Sequence, residues 1–162
     1  MTPDSGTPDL RRNGQSALAE VLRNLLSLSA TPCDPASEGV PPDPITSRVL
    51  LTGPELSGTV ILRLPRAFVL LAVRRLTGLD GAAAEANGLL DDTAGELANM
   101  VAGRVAAQLA SHGHRCTLST PSVSRSAALP IEILPGADRG CADLLCDGHR
   151  LSLVVQCRYG VP

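Results

Sequence analysis

Residues 89–115, LLDDTAGELANMVAGRVAAQLASHGHR, decide how this chain folds. Apolar residues recur in this stretch at steps of three and four, which is the spacing of an α-helix. They are Leu90, Ala94, Leu97, Val101, Val105 and Leu109. Because successive helical residues lie about 100° apart, these side chains form one stripe along the helix. The pattern predicts a single long helix over residues 89–112, with the stripe packed on a hydrophobic core.

Three polar side chains lie almost opposite that apolar stripe. Asp92, Glu96 and Asn99 are spaced i, i+4 and i+7, so they share one face of the helix. Small residues surround them, where a solvated face normally carries long charged side chains. The small residues are Gly95, Ala102, Gly103, Ala106 and Ala110. Glycine inside a helix costs about 1 kcal/mol relative to alanine, so this face suits close approach by another surface. A generally alanine-rich helix, or a helix–helix contact in a dimer, would give the same pattern.

The composition excludes several classes of function. The 162 residues suffice for one domain with a hydrophobic core, and the net charge is −2. Phe68 and Tyr159 are the only aromatic residues, and all 14 basic residues are arginines without a basic run, which argues against nucleic-acid binding. The longest apolar stretch, residues 67–73, is too short to span a bilayer, and the first residues do not resemble a signal peptide. We therefore expect a cytoplasmic protein without nucleic-acid or membrane partners.

The cysteines indicate neither a disulfide framework nor a metal site. There are five of them, an odd number, and a cytoplasmic chain of this size does not need disulfides. His112, His114 and Cys116 lie close together in the sequence, but they lack the CxxC or HExxH spacing of known metal sites. We expect free thiols throughout, and no metal or cofactor bound by this chain.

Before the long helix, the chain divides into a tail, two helices and a hairpin. Residues 1–13 lack periodicity and are predicted to form a flexible tail, followed by a single domain over residues 14–162. Apolar residues at helical spacing predict a helix over residues 16–28. Residues 30–45 contain five prolines, so we expect a long connection without regular structure.

A predicted hairpin follows this proline-rich connection. Its strands are residues 47–52 and 56–64, with a turn at Gly53-Pro54-Glu55. A helix over residues 66–77 comes next, with Pro65 at its start, where proline is favoured. Asn87 is the predicted cap of the long helix.

Short strands are predicted after the long helix. They span residues 117–124, 131–134, 142–145 and 151–158. Asp147-Gly148 is the strongest turn signal in the chain and should join the last two strands as a hairpin. Because the connections between strands are short, the sheet should be largely antiparallel, with the helices on one face. The predicted fold class is α+β, with two or three helices including the long one.

The long helix and the strand after it resemble a known family. The motif Asp92-x3-Glu96-x2-Asn99 is followed by Pro121 in a strand reading TLSTPSV, and the helix continues ELANMVAGRVAAQL. These features resemble the CheC/CheX/FliY family of chemotaxis phosphatases, and most closely its CheX branch. The resemblance implies a CheX-like fold and a homodimer. It also implies a partner, the phosphorylated receiver domain of a CheY-like response regulator.

The resemblance further implies roles for the motif residues. Asn99 would orient a water for in-line attack on the receiver's phospho-aspartate, and Glu96 would pair with a receiver lysine. Asp92 would support the start of the helix, and Pro121 would complete the motif. The receiver, rather than this chain, would hold the Mg²⁺ ion.

Some members of that family have two active helices. In this chain the first helix offers Ser16-x3-Glu20, but Arg23 stands where a second asparagine is required. Asn24 is one position away, and one position turns a side chain by about 100° around a helix. We therefore expect a single active helix.

Three interpretations of the function stay open. The first is an enzyme, a phosphatase of a phosphorylated receiver domain. The second is a non-catalytic CheX-like module that binds a receiver or a switch protein. In both, Gly95, Gly103 and Ala106 form a surface that faces the partner. The third is a dimerisation domain in which the same small residues contact a second copy of the chain.

Overall fold

A computed structural model describes residues 6–34, 41–126 and 132–160 of the chain. The helices are α1 (Leu10–Leu26), α2 (Arg66–Thr77), α3 (Gly81–Ala86) and α4 (Leu89–Ser111). The strands are β1 (Ala30–Cys33), β2 (Pro44–Gly53), β3 (Leu56–Pro65), β4 (Thr117–Leu118), β5 (Ser122–Ser124), β6 (Asp138–Cys146) and β7 (His149–Tyr159). The described part of the chain is thus an α+β domain, as the sequence predicts.

The strands form one antiparallel sheet in the order β1-β6-β7-β3-β2-β4, and β5 also pairs with β2. The predicted hairpins are both present. The β6–β7 turn is Asp147-Gly148, and both residues have positive φ angles, 48° and 77°. Two-residue turns of this kind favour Asp-Gly because they need left-handed backbone at both positions.

Helices α1 and α4 lie side by side on one face of the sheet. Helix α1 packs on β6 and β7, whereas α4 packs on β2 and β3. The core between the layers is made of aliphatic side chains and Phe68, which is fully buried. The outward positions of β2 alternate with the buried ones, as expected for a strand with one covered face.

Two boundaries near the amino end differ from the prediction. Helix α1 begins at Leu10, capped by Asp9, so residues 10–13 are helical although they were predicted to belong to the flexible tail. Residues 30–33 of the proline-rich connection form β1, which pairs with β6. As an edge strand β1 tolerates Pro32, because proline lacks only the amide donor that a central strand would need. Residues 35–40 of that connection lie outside the described residues.

Two predicted strands after α4 are wrong in detail. Residues 117–124 do not form one strand, because the pairing with β2 is interrupted between β4 and β5. At the interruption the Ser119 hydroxyl accepts a hydrogen bond from the Leu50 amide (2.9 Å), and Pro121 has no amide hydrogen to donate. Residues 132–134 are irregular, so the predicted strand at 131–134 is absent from its described part.

The start of α4 also differs from the prediction. Asn87 ends the short helix α3 instead of capping α4, and its side-chain amide donates to the Ala83 carbonyl. Gly88, with a φ of 67°, is the residue immediately before α4. A left-handed residue here allows the chain to turn sharply from one helix into the next.

Candidate functional site

Helix α4 turns its apolar stripe inward and its polar face outward. Leu90, Leu97, Val101 and Val105 are all at most 1% exposed. Glu96 is exposed although it is the immediate neighbour of Leu97. The orientation predicted from the period of the apolar residues is therefore confirmed.

The predicted motif residues share this outward face. Asp92 and Glu96 are exposed and Asn99 is half-buried. Side chains three or four residues apart on a helix are neighbours, with about 5–6 Å between Cβ atoms. Within the described part of the chain, no hydrogen bond or ion pair engages the side chain of Glu96 or Asn99. A free carboxylate and a free carboxamide are thus presented together at the surface.

The segment from β4 to β5 forms one wall beside this face. A Cβ atom placed on Gly95 would lie 3.6 Å from Pro121 Cβ and 3.4 Å from Val123 Cγ2. These are ordinary van der Waals distances, so Pro121 packs against α4 at Gly95, one helical turn before Asn99. This contact brings Pro121 to the helix that carries the motif, although 21 residues (100 to 120) separate it from Asn99 in the chain.

The same contact corrects part of the predicted partner-facing surface. Gly95 is buried under Pro121 and Val123, so it cannot face a partner. Ala102 is also buried. Gly103 and Ala106 stay half-buried on the outer side of the helix. The open strip of α4, as we name it, consists of Asp92, Glu96, Asn99, Gly103 and Ala106.

Helix α1 forms the opposite wall, and its acidic residue is already engaged. Arg104 of α4 donates to Glu20 of α1 over 2.7 Å, and both side chains are about two-fifths exposed (39% and 43%). Arg23 and Asn24 are exposed on the same helix. Because Glu20 pairs inside the chain, it differs from Glu96, which has no such partner. The expectation of one active helix stays a prediction.

An ion-pair network that no sequence pattern predicted holds the start of α4. Arg125, after β5, contacts Asp91 (2.8 Å) and Glu85 (3.1 Å), and Glu85 also contacts Arg66 (2.5 Å). The hydrogen bond from Arg66, followed by that from Arg125, lowers the pKa of Glu85. These residues come from α2, α3, α4 and the segment after β5, so no local spacing could have grouped them.

A small pocket adjoins Glu96 on the side away from Pro121. Its volume is about 290 Å³, and it is lined by Leu25, Leu76, Asp92, Thr93, Glu96 and Leu97. Three helices contribute these residues: α1, α2 and α4. Leu25 and Leu76 were not singled out from the sequence, because only the packing of the helices brings them beside the motif.

A larger cleft of about 440 Å³ lies at the start of α2, away from the open strip. Three of the side chains that line it are engaged within the chain. Arg66 pairs with Glu85, Arg150 pairs with Asp143, and the His149 ring contacts that of Phe68. We therefore assign the candidate site to the open strip of α4 rather than to this larger cleft.

Two further properties concern metals and membranes. Over residues 6–34, 41–126 and 132–160, no group of three His, Cys, Asp or Glu side chains is arranged to hold a metal ion. Among the described helices, none is long and apolar enough to cross a bilayer. All five cysteines are free, as predicted.

The amino-acid sequence matches one known protein family over more than half of its length. A sequence model for the family described as "Chemotaxis phosphatase CheX" matches residues 45–143. No curated protein sequence matches the chain significantly.

Solved structures that share this fold include a protein described as chemotaxis protein CheX. The CheX protein of Vibrio vulnificus has a TM-score of 0.79 and 18% identity, with 94% of this chain and 99% of that chain covered. For a CheX–CheY–BeF3–Mg complex from Borrelia burgdorferi the TM-score is 0.71 and the sequence identity is 18%, with 93% of this chain and 98% of that chain covered. For FliY of Thermotoga maritima the TM-score is 0.60 and the sequence identity is 17%, with 98% of this chain and 91% of that chain covered. At these identities the likeness shows a shared fold.

Proposed function

This chain belongs to the CheX family, and on that premise we propose that it binds a phosphorylated CheY-like receiver domain and accelerates hydrolysis of its phospho-aspartate. The observation that carries the proposal is the pair Glu96 and Asn99 on the open strip of α4. Both side chains point outward, and neither is engaged within the described residues. A carboxylate and a carboxamide one turn apart are the groups that such a reaction needs.

Asn99 would act directly on the reacting water. Hydrolysis forms a bond between the water oxygen and phosphorus and breaks the bond between phosphorus and the aspartate oxygen, releasing inorganic phosphate. An acyl phosphate hydrolyses without help, so the main requirement is to hold the water in line with the breaking bond. A carboxamide can accept a hydrogen bond from the water through its oxygen and donate one to a phosphoryl oxygen through its amide group, without adding charge. Half-burial of Asn99 on α4 would restrict its rotamers and so favour this orientation.

Glu96 would contribute mainly to binding and register. Its carboxylate would pair with a basic side chain of the receiver and hold the two proteins so that Asn99 meets the phosphoryl group. At an exposed rim an ion pair contributes less than about 1 kcal/mol, but a desolvated pair in a closely packed interface contributes more. Mg²⁺ would be bound by the receiver and neutralise charge on the phosphoryl oxygens.

The decisive experiment follows the decay of phosphorylated receiver domains from the same organism. Asn99→Ala should abolish the acceleration and leave most of the binding, because it removes the water-orienting amide. Glu96→Ala should mainly weaken binding, seen as a raised KM. Asn24→Ala is the matched control, since Asn24 is an exposed asparagine on the neighbouring helix α1. Full activity of Asn99→Ala would refute the proposed mechanism.

The alternative function is a non-catalytic module that binds a receiver or a switch protein. It predicts that the wild-type chain binds phosphorylated receivers without changing their rate of decay. A dimerisation domain built on the small residues of α4 is less well supported, because Gly95 and Ala102 are covered by the chain itself. The family likeness also leads us to propose a homodimer in the cytoplasm, to be tested by analytical ultracentrifugation and cell fractionation.

A further inference from the structure

The face of the sheet that is turned away from the helices is strongly basic. We name it the outer face. It consists of the even-numbered positions 46–52 of β2 and 150–158 of β7, and the odd-numbered positions 57–63 of β3 and 139–145 of β6. These positions carry one carboxylate, that of Asp143, and five arginines, which are Arg48, Arg63, Arg139, Arg150 and Arg158. Because the whole chain has a net charge of −2, this face concentrates positive charge on an acidic protein.

Two of these arginines form a pair on β6 and β7. Arg139 is paired with Gln156, two residues before Arg158, so the two arginines are diagonal neighbours. Such neighbours lie about 7–8 Å apart. Both side chains are exposed, and within the described part of the chain no ion pair engages either of them. Their charges repel each other in the free protein, and an anionic partner would remove that repulsion.

A second arginine pair lies on β2 and β3, at the other side of the outer face. The strand register makes Arg48 and Arg63 diagonal neighbours in the same way. Arg48 contacts Glu132 over 3.5 Å, but both side chains are well exposed (44% and 77%), so this ion pair is weak. The carboxylate of Asp143 pairs with Arg150 over 2.8 Å. The acids of this region thus leave most of its positive charge uncompensated.

Large apolar side chains accompany the arginines. Ile133 is 66% exposed and Leu50 is 43% exposed. The segment with Ile133 is held on the outer face by the buried amide of Gln156, which accepts from the Leu134 amide (3.0 Å) and donates to the Glu132 carbonyl (2.9 Å). Arginines beside exposed apolar side chains are typical of protein–protein interfaces, where arginine is enriched and apolar residues act as anchors.

We propose that the outer face binds an acidic segment of another protein, with its carboxylates on the two arginine pairs and its apolar side chains over Ile133 and Leu50. The inference goes beyond the proposed function and does not rest on it. The open strip of α4 belongs to the helix layer, on the other side of the sheet, so one chain could hold both partners at once.

Other occupants of the outer face fit less well. A second copy of the chain, packed face to face, would set the same arginines against each other, because such an interface is self-complementary. A nucleic acid would find no aromatic ring on which to stack a base, since Phe68 belongs to α2 and Tyr159 points to the helix side of β7. An anionic bilayer would require a broad apolar face rather than two separate aliphatic side chains.

The test measures binding of a fluorescein-labelled peptide with glutamates on both sides of a Leu-Val-Leu centre. Arg139→Glu/Arg158→Glu should weaken binding more than about tenfold, because attraction becomes repulsion. Leu50→Ser should weaken it about fivefold, as expected for the loss of an apolar contact. Added salt should raise Kd for wild type and for Leu50→Ser alike. If wild type does not bind this peptide, or binds it no better than a peptide with glutamine in place of glutamate, the inference is overturned.

Two matched controls are available in the chain. Arg23→Glu/Arg74→Glu makes the same change of net charge at two exposed arginines of the helix layer. Leu79→Ser removes a leucine of similar exposure (37%) that lies outside the sheet. Both should bind the peptide within about twofold of wild type, because they are distant from the outer face. If the control arginine variant loses as much binding as Arg139→Glu/Arg158→Glu, the attraction comes from net charge alone and the inference fails. Thermal melts confirm that each variant is folded.

Further measurements separate this inference from its competitors and from the proposed function. If phosphatidylserine vesicles or a DNA duplex bind more tightly than the peptide, and Arg139→Glu/Arg158→Glu abolishes that binding, the partner is not an acidic protein. Receiver dephosphorylation by the same variant should stay within about twofold of wild type, because the open strip of α4 is unchanged. A parallel loss of that activity would overturn the independence of the two surfaces. If wild type binds the peptide as expected but accelerates no receiver, the proposed function fails and this inference stands.

Discussion

Glu96 and Leu97 are neighbours in the chain but face opposite environments. Glu96 is exposed to solvent, whereas Leu97 is buried, with 1% of its surface exposed. The periodicity of the sequence is enough to predict this difference, because each helical step turns the side chain by about 100°. It is not enough to predict which outward positions are covered by another segment. Gly95 shows this limit, because Pro121 and Val123 reach it from a part of the chain more than twenty residues away.

A residue-scale prediction concerns the alkaline side of stability. Cys157 is fully buried, and burial raises its thiol pKa from 9.0 to about 12. Above pH 9 the unfolded chain loses this proton while the folded chain keeps it, so the unfolded state is favoured. The stability contributed by the neutral thiol is complete below that pH and falls as pH rises towards 12, by up to about 1.4 kcal/mol per pH unit.

Urea unfolding of wild type and Cys157→Ala at about pH 8 and about pH 10.5 checks this prediction. The variant should be less stable at the lower pH, because it leaves a cavity, but should lose less stability on going to the higher pH. Part of the loss of stability at the higher pH should persist in the Cys157→Ala variant, because burial also raises the pKa of Tyr159. Equal losses in the two proteins would contradict the assignment to Cys157.

At the scale of elements, local patterns were sufficient where an element is set by its own residues. Helix α4, the β2–β3 hairpin and the Asp147-Gly148 turn follow from periodicity and turn chemistry. Local sequence patterns failed to predict those elements that form only by pairing with a segment far away in the chain. Strand β1 forms because β6 offers it an edge, and β4 and β5 are short because Ser119 and Pro121 interrupt their pairing with β2.

The open strip of α4 leads to a prediction at this scale. A Cβ atom on Gly103 would have only Leu118 Cδ1 near it, at 4.0 Å, so a larger residue fits without strain. Gly103→Arg should therefore fold at least as well as wild type, since arginine is a better helix former by up to about 1 kcal/mol. Its bulk on the strip should still lower receiver dephosphorylation more than about tenfold, which is typical of a disrupted central contact.

Gly103→Ala provides the comparison for that variant, because it makes the same change of helix propensity without the bulk. Thermal melts and receiver decay would be measured for both variants. If Gly103→Arg is as active as Gly103→Ala, this part of α4 does not face the receiver.

At the scale of the whole molecule, the site depends on contacts between segments far apart in the chain. The pocket needs α1, α2 and α4, and the ion-pair network links α2, α3 and α4 to the residue after β5. No sequence pattern predicts such groupings, because they follow from the order of strands and the packing of helices on them. The outward placement of Asp92, Glu96 and Asn99 follows from the helical period, whereas the segments around them could not be predicted.

The attachment of α1 to the sheet gives a prediction at this scale. A Cβ atom on Gly140 would collide with the backbone of α1, since Arg11 N would lie 2.3 Å from it and the Leu10 carbonyl carbon 2.5 Å. Gly140→Ala should push α1 away from β6 and destabilise the domain by about 1–3 kcal/mol, as overpacking usually does. Gly6→Ala is the control, because no atom lies within 4 Å of the added carbon. Equal urea midpoints for the two variants would show that α1 shifts without cost.

The packing of α1 and β1 on β6 and β7 has a consequence for how the chain folds during its synthesis. Helix α1 is synthesised before β6 and β7, the strands that cover its apolar face. Because synthesis proceeds at about 5–20 residues per second, the apolar face of α1 stays uncovered in the nascent chain for on the order of ten seconds. During this interval it is a natural binding surface for a chaperone. The wall that α1 supplies beside Glu96 therefore reaches its final position only once β6 and β7 have been made.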